Sequence, residues 1–205
     1  MAIEIKGYVF DIGNVLVRWS PSNITKKHTN RRPADGKDLY RITEEMNLRV
    51  DKGEPFREVI GEYVSEYPKF EQVLLEWRDN WIEMFQPKIF ATWEILDELK
   101  KKGNPVYALS NFGKETFEMA CKVYPELKSF NAYFISGYLG FIKPDEKIYK
   151  LVEEKTGLRP SELFFIDDRI DNCRVAADRG WTVHKFTEAR LLRKHLNSLG
   201  IILKN

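Results

Sequence analysis

The chain has 205 residues, enough for one domain of ordinary size or for a core domain with a small insert. Its 33 basic and 31 acidic residues give a net charge of +2, so the composition carries no signature of a nucleic-acid-binding protein. No apolar segment reaches the roughly 18 residues that a membrane span needs, and the first residues lack the apolar core of a signal peptide. We therefore expect a cytoplasmic protein with no nucleic-acid or membrane partner.

The first predicted element is a buried strand, Gly7–Phe10, which ends at Asp11. A carboxylate at the tip of a buried strand is costly unless it has a partner. Open parallel sheets bind their ligands outside the carboxyl ends of their strands. Asp11 is therefore the first candidate catalytic residue. The chain turns immediately after it, through Ile12-Gly13-Asn14.

Residues 18–86 contain helical patterns but no good strand. Apolar residues at helical spacing predict three amphipathic helices, one around Leu39–Met46, one over Phe56–Val64 and one over Phe70–Met84. This stretch leaves the predicted sheet and rejoins it at the same edge. We therefore expect residues 18–86 to form a small helical cap domain over the strand tips, and residues 1–17 and 87–205 to form an α/β core domain.

From residue 87 onward, helical patterns and apolar runs alternate. The runs predict buried parallel strands at Val106–Leu109, Ala132–Ile135, Leu163–Ile166 and Thr182–His184. Helices are predicted from Ile89 to a stop at Gly103, from Pro144-Asp145 to Gly157, over Arg169–Arg179, and from a cap at Thr187 to Leu199. This alternation predicts an α/β fold with a doubly wound, Rossmann-like parallel sheet.

Polar side chains follow four of the predicted strands, in chain order. Asp11 follows the first strand, Ser110-Asn111 the second, Lys143 comes after the third, and Asp167-Asp168 with Asp171 follow the fourth. The carboxyl ends of parallel strands lie at one edge of a sheet. We therefore expect this edge to bring together three or four carboxylates, one lysine and two small hydrogen-bonding side chains.

These residue types suit phosphoryl transfer. Neighbouring carboxylates repel one another and raise each other's pKa, and Mg²⁺ relieves that repulsion. Lys143 can neutralise further charge and bind a phosphate, and Ser110 and Asn111 can hold phosphoryl oxygens. Asp11 is then available to attack phosphorus as a covalent nucleophile. Each feature alone is commonly a helix cap or a loop, and it is their ordered occurrence at four strand ends that favours a site.

In the same order, these segments resemble the four motifs of the haloacid dehalogenase superfamily, over nearly the whole chain. The insert stands where members with a helical type-1 cap carry theirs. The segments Phe10–Leu16, Asp51–Glu54 and Phe165–Asn172 look most like the α-D-glucose-1-phosphate phosphatase branch, which is similar to the N-terminal phosphatase domain of soluble epoxide hydrolase. The resemblance implies a Mg²⁺-dependent phosphatase that hydrolyses a small phosphomonoester, such as a sugar phosphate, through an aspartyl-phosphate intermediate.

The resemblance also implies a role for each motif residue. Asp11 would be the nucleophile and a Mg²⁺ ligand, and Gly13 would offer its backbone carbonyl to the metal. Ser110 and Asn111 would bind the phosphoryl group, and Lys143 would stabilise Asp11 and the phosphoryl charge. In the last motif, Asp168 would ligate Mg²⁺ directly, and Asp167 would support the metal directly or through water.

Gly13 departs from the family pattern. Most phosphatases of the superfamily carry a second aspartate here, which protonates the leaving oxygen and then activates water. A hydroxyl of the substrate, a water molecule or a residue of the cap could replace that aspartate, and the sequence leaves these options open. Glycine here could also make room for the natural substrate or serve a turn that needs positive φ, and the sequence favours one of these two interpretations over the simple loss of an aspartate.

Two other functions stay open on the sequence alone. Metal-free 2-haloacid dehalogenases also lack the second aspartate, but Asp167 and Asp168 argue against this function, because their charges would crowd the nucleophile without a cation. A phosphate-binding or scaffold protein of the same fold is the non-enzymatic alternative. The expected ligand is a small phosphorylated metabolite, and the chain is expected to be a monomer or a homodimer.

Overall fold

The computed structural model describes residues 4–29 and 36–201. Residues 1–3, which belong to the segment predicted not to be a signal peptide, and residues 30–35 of the predicted cap lie outside the described residues. In chain order the strands are β1 (Gly7–Phe10), β2 (Val17–Trp19), β3 (Phe85–Lys88), β4 (Val106–Ser110), β5 (Ala132–Ile135), β6 (Leu163–Asp167) and β7 (Thr182–Lys185). The helices are α1 (Ser22–Thr29), α2 (Gly36–Asp51), α3 (Phe56–Glu66), α4 (Glu71–Asp79), α5 (Phe90–Lys101), α6 (Lys114–Val123), α7 (Ser136–Leu139), α8 (Glu146–Thr156), α9 (Ile170–Asp178) and α10 (Ala189–Ser198).

Five strands form one parallel sheet in the order β5-β4-β1-β6-β7. The chain runs outward from β1 to β4 and β5, then returns to β6 and β7 on the other side of β1. The strand order therefore reverses between β1 and β6, which is where open α/β sheets bind ligands. The predicted strands are all present, and three of them extend one residue further at the carboxyl end.

Helices cover both faces of this sheet, because its strands are apolar on both sides. Tyr8 and Phe10 of β1 pack in a cluster with residues of α5 and α10, whereas Val9 packs with residues of α8 and α9. Alternate side chains of a strand point to opposite faces. The predicted doubly wound α/β sheet is therefore confirmed.

The insert differs from its predicted secondary structure in two ways. It begins and ends in short antiparallel strands, β2 and β3, where no strand was predicted, and α1 follows β2 directly. The third predicted helix, Phe70–Met84, is only partly an α-helix. Its central part is α4, and 3-10 turns at Pro68–Phe70 and Trp81–Met84 lie on either side of it. Buried apolar residues of the insert and of one sheet face form one cluster, and the division into two domains stays a prediction.

The structure tests three predicted helix termini. Asp145 caps α8 by accepting a hydrogen bond from the Lys147 amide at 2.9 Å, and Gly157 ends the helix in the left-handed conformation, as predicted. The predicted cap at Thr187 is wrong, because α10 begins at Ala189 and Glu188 occupies the N-cap position. Among the described residues, no helix has the length and apolar character that crossing a membrane requires.

Candidate active site

The candidate site lies at the carboxyl edge of the sheet, where the central strands end. Asp11 follows β1 directly, Ser110 is the last residue of β4, and Asp167 is the last residue of β6. Since β4 and β6 are the two hydrogen-bonded neighbours of β1, these three side chains are adjacent. Lys143 reaches the same place from the segment between β5 and α8.

One oxygen of Asp11 is fixed by three donors. Its Oδ1 accepts hydrogen bonds from the Ile12 amide at 2.7 Å and from the Ser110 hydroxyl at 2.7 Å, and it lies 2.9 Å from Nζ of Lys143. The Oδ2 atom accepts no hydrogen bond from the described residues. The carboxylate is therefore oriented through one oxygen, which leaves the other for a ligand.

Lys143 is buried and uses all three of its N–H donors within the site. Its Nζ contacts Oδ1 of Asp11 at 2.9 Å, Oδ2 of Asp167 at 2.6 Å and the Leu109 carbonyl at 2.8 Å. Burial lowers the pKa of Lys143, but the charges of Asp11 and Asp167 more than offset this and raise it above the usual value. The side chain is therefore a fixed positive charge between two carboxylates.

The two aspartates of the last motif have different environments. Asp167 is fully buried, and its carboxylate accepts hydrogen bonds from Lys143, the Asn172 amide and the Arg169 backbone N–H. Asp168 lines a cavity and accepts one side-chain hydrogen bond, from Asn14 at 3.1 Å. Asp168 is thus the more accessible of the two, whereas Asp167 mainly holds Lys143.

Asp11, Asp167 and Asp168 offer carboxylate oxygens that all lie within 4.8 Å of one another. Burial raises the pKa of Asp11 to about 7, and the charges of Asp167 and Asp168 add to this against the opposing effects of Lys143 and Ser110. Burial and Asp167 also raise the pKa of Asp168. A hard divalent cation next to these oxygens would stabilise the charged forms of Asp11 and Asp168. The residues present therefore fit a Mg²⁺ ion.

Ser110 and Asn111 both line the cavity but have different partners. The hydroxyl of Ser110 donates to Asp11. The side chain of Asn111 pairs reciprocally with the backbone of Lys143, accepting from its N–H at 2.7 Å and donating to its carbonyl at 2.9 Å. Asn111 therefore positions the Lys143 segment, and the second N–H of its amide is left for a ligand.

The turn after Asp11 does not need glycine at position 13. The residue with positive φ is Asn14, at 56°, and Gly13 is not among the positive-φ glycines. A Cβ atom at Gly13 would meet Cβ of Trp19 at 3.8 Å, an ordinary contact. The interpretation that Gly13 serves positive φ is therefore wrong. The Gly13 carbonyl oxygen accepts no hydrogen bond from the described residues, so it is free to bind a ligand.

This backbone predicts the effects of two substitutions on stability. Gly13→Asp should lower the free energy of unfolding by no more than about 1 kcal/mol, a shift of roughly 2–4 °C in Tm. Asn14→Ala should cost more, because it places alanine in the left-handed region and removes hydrogen bonds to Asp168 and from the Trp19 amide. Thermal unfolding of both variants measures this. A larger loss for Gly13→Asp than for Asn14→Ala would mean that the turn requires glycine.

The fourth carboxylate, Asp171, which the sequence left open as a member of the site, lies outside it. The Asp171 side chain is exposed and pairs with Arg174 at 3.4 Å, and it does not line the cavity. Its neighbour Asn172 points inward instead and donates to both oxygens of Asp167 at 3.0 Å. On a helix, adjacent residues lie about 100° apart around the axis, so only one of the two can face the strand tip.

The insert provides one wall of the cavity, whose volume is about 640 Å³. Helix α2 contributes Glu44, Asn47 and Asp51, which recur at helical spacing on one face. Trp19 and Trp81 line the cavity as well. The sequence analysis did not single out Glu44, Asn47 or Asp51 as site residues. Two features of the sequence could have identified them: their helical spacing, and the position of Asp51 two residues before Gly53.

A model of the haloacid dehalogenase-like hydrolase family matches residues 5–180. The chain belongs to this family. The superfamily resemblance inferred from the motifs is therefore confirmed, and the chain is a hydrolase. The narrower resemblance to the α-D-glucose-1-phosphate phosphatase branch stays a prediction.

One known relative and two solved structures are similar to this family member. A D-ribitol-5-phosphate phosphatase of Bacteroides thetaiotaomicron is 27% identical over 194 residues, which cover 86% of this chain and 89% of the relative. A haloacid dehalogenase family enzyme of B. thetaiotaomicron, solved as an aspartate-to-alanine variant with magnesium and inorganic phosphate, superimposes with a TM-score of 0.70 at 21% identity, over 89% of this chain and 94% of that one. The L-2-haloacid dehalogenase of Xanthobacter autotrophicus gives a TM-score of 0.63 at 19% identity, over 97% and 85% of the two chains. The two structural similarities establish the fold.

Proposed function

We propose that this hydrolase is a Mg²⁺-dependent phosphatase of a small phosphomonoester that carries hydroxyl groups, such as a sugar or polyol phosphate. The observation that carries the proposal is the cluster of Asp11, Asp167 and Asp168 at the strand tips, with Lys143 between the first two. A metal-free dehalogenase has no use for three carboxylates so close together, because without a cation their repulsion disfavours an ionised nucleophile.

The site residues support a covalent route. A carboxylate oxygen of Asp11 attacks phosphorus and forms the aspartyl-phosphate while the bond from phosphorus to the leaving oxygen breaks. Water then attacks the phosphorus of this intermediate, which releases phosphate and regenerates Asp11. Ser110 and Lys143 keep the Asp11 carboxylate oriented through its Oδ1.

Charge stabilisation is the main requirement of phosphoryl transfer. The buried ammonium of Lys143 is positioned within the site without further rearrangement, which is the condition for efficient electrostatic stabilisation. Asp11, Asp168 and the Gly13 carbonyl are the groups that would hold Mg²⁺, with Asp167 in support. When bound, Mg²⁺ supplies positive charge against these carboxylates and the phosphoryl oxygens.

The wall of the cavity formed by α2 supports a hydroxylated substrate. Glu44 and Asn47 present side-chain oxygens that can accept hydrogen bonds from hydroxyl groups. A ribitol phosphate is such a molecule, and one relative described above, which matches 86% of this chain, is named for hydrolysing one. These observations favour a polyol or sugar phosphate over an apolar phosphomonoester.

Metal removal tests the proposed function. We expect the purified protein to hydrolyse p-nitrophenyl phosphate and at least one sugar or polyol phosphate, to lose activity in EDTA, and to regain it when Mg²⁺ is added in excess. EDTA saturated with Mg²⁺ beforehand is the control for effects of the chelator itself. Full activity on a 2-haloacid in EDTA, with no phosphatase activity in Mg²⁺, would instead establish a dehalogenase.

A further inference from the structure

We propose that Asp51, on the insert, is the general acid and base of this enzyme and takes the place of the aspartate that Gly13 lacks. The inference rests on the proposed phosphatase function and deepens it. Asp51 lines the same cavity as Asp11, Ser110, Lys143 and Asp168, and it is the last residue of α2.

The end of α2 is fixed tightly against the sheet edge of the site. The backbone carbonyl of Asp51 accepts a hydrogen bond from the Ser136 hydroxyl at 2.6 Å. Two residues on, Gly53 has φ of 103°, and a Cβ atom there would lie 2.6 Å from the Gly137 carbonyl oxygen. A Cβ atom at Gly113 would lie 2.4 Å from the Val50 side chain. This close fit holds Asp51 at a defined position relative to the strand tips.

The Asp51 carboxyl group accepts hydrogen bonds from neighbouring donors but contacts no positively charged side chain of the described residues. It accepts from the Asn47 amide at 3.0 Å and from the Gly113 backbone N–H, and it forms no ion pair with the described residues. Burial raises the pKa of Asp51 to about 7, the negative charges of Asp11 and Glu44 add to this, and Lys143 and the Gly113 N–H oppose it. A carboxyl group of this kind can both donate and accept a proton near neutral pH.

The proposed proton transfers balance over one turnover. As Asp11 attacks phosphorus, the leaving oxygen departs on the side away from Asp11, out into the cavity. Protonated Asp51 gives its proton to that oxygen, which leaves as an alcohol. The resulting Asp51 carboxylate then takes a proton from the water that attacks the aspartyl-phosphate, which restores the starting state of both aspartates.

The test compares Asp51→Asn with Asp38→Asn, a matched change at an exposed aspartate on the same helix. General acid–base catalysis contributes roughly 10²–10⁴-fold. We expect Asp51→Asn to lose turnover by this factor on an alkyl phosphate such as ribitol 5-phosphate, and Asp38→Asn to keep wild-type turnover. With p-nitrophenyl phosphate, whose leaving group needs no proton, Asp51→Asn should release a burst of about one p-nitrophenol per site and then turn over slowly.

The burst distinguishes a role of Asp51 in catalysis from a role in binding. A burst in Asp51→Asn would show that Asp11 is phosphorylated normally while the attack by water on the aspartyl-phosphate is slowed. An unchanged rate on the alkyl phosphate would overturn the proposal. So would an equal loss on both substrates with no burst, because it would indicate that Asp51 only binds or orients the substrate.

Two further variants keep the test decisive. Gly13→Asp in the Asp51→Asn background should recover part of the lost alkyl-phosphate turnover, because it returns a carboxyl group to the position used by most relatives. Asp51→Ser is used if Asp51→Asn does not fold, and if neither variant gives a folded protein, Asp51 is structural and the proposal fails. A wild-type enzyme inactive on every phosphomonoester in Mg²⁺ would reject the proposed function instead.

Discussion

Asp11→Asn should reduce phosphatase turnover to background while the protein remains folded. The carboxamide oxygen can still accept from the Ile12 amide, the Ser110 hydroxyl and Lys143, so the local hydrogen bonds survive. A carboxamide, however, is no nucleophile toward phosphorus. The change also removes a negative charge next to Asp167 and Asp168, so we expect the Tm without metal to stay the same or to rise.

Steady-state assays in Mg²⁺ and thermal unfolding measure the two parts of this prediction. Asp171→Asn is the matched control, because that aspartate is exposed and paired with Arg174 away from the cavity. It should retain wild-type activity. Residual Asp11→Asn activity above a few per cent of wild type, with deamidation excluded by mass spectrometry, would remove Asp11 from the nucleophile's role.

Lys143→Ala should lower turnover by roughly 10²–10³-fold, the range seen when a positioned electrostatic group is removed. Its ammonium compensates Asp11 and Asp167 at 2.9 and 2.6 Å, and the phosphoryl transition state depends on such fixed cations. The variant should also be less stable, because breaking a buried ion pair typically costs about 3–5 kcal/mol. Mg²⁺ should restore part of that stability, since it offsets the same carboxylates.

Lys147→Ala is the control for this prediction. The Lys147 side chain is exposed in the first turn of α8 and lies over the Phe141 ring rather than in the site. Turnover and Tm are measured for both lysine variants at saturating Mg²⁺. Similar kcat values for the two would mean that Lys143 does not act on the phosphoryl group.

The strand tips were predictable because each follows a short apolar run, and these runs alternate with helical patterns as in a doubly wound sheet. Asp11 directly follows β1, and Ser110 and Asp167 end the two strands beside it. Lys143 reaches them from the segment between β5 and α8. The helix-ending glycines were equally local signals, as at Gly157. These features depend on a few neighbouring residues, which a single sequence displays.

The features that were missed depend on contacts between distant parts of the chain. Strands β2 and β3 are short segments without an apolar run, and they form because they pair with each other. Asn14 becomes a site residue through a bond to Asp168, 154 positions away. Asp51 enters the cavity because α2 packs against Ser136 and Gly113. Nothing near these residues in the sequence displays such partners.

The sequence left the place of Asp171 open for a related reason. Its spacing from Asp167 placed a carboxylate close in sequence to the site, but α9 turns it toward solvent and turns Asn172 inward. Sequence proximity to a strand end therefore identified the right segment and the wrong side chain. Gly13 is a second case, because the residue that adopts positive φ is its neighbour Asn14.

The most direct test of the central claim is to locate the covalent intermediate. The enzyme is acid-quenched during turnover of p-nitrophenyl phosphate in Mg²⁺, and its peptides are analysed by mass spectrometry. The proposed mechanism predicts one phosphoryl group on the peptide that contains Asp11, assigned to Asp11 by fragmentation and absent when EDTA is present throughout. A phosphoryl group on another residue, or phosphate release in a single turnover with no phosphorylated Asp11 at any quench time, would contradict the account.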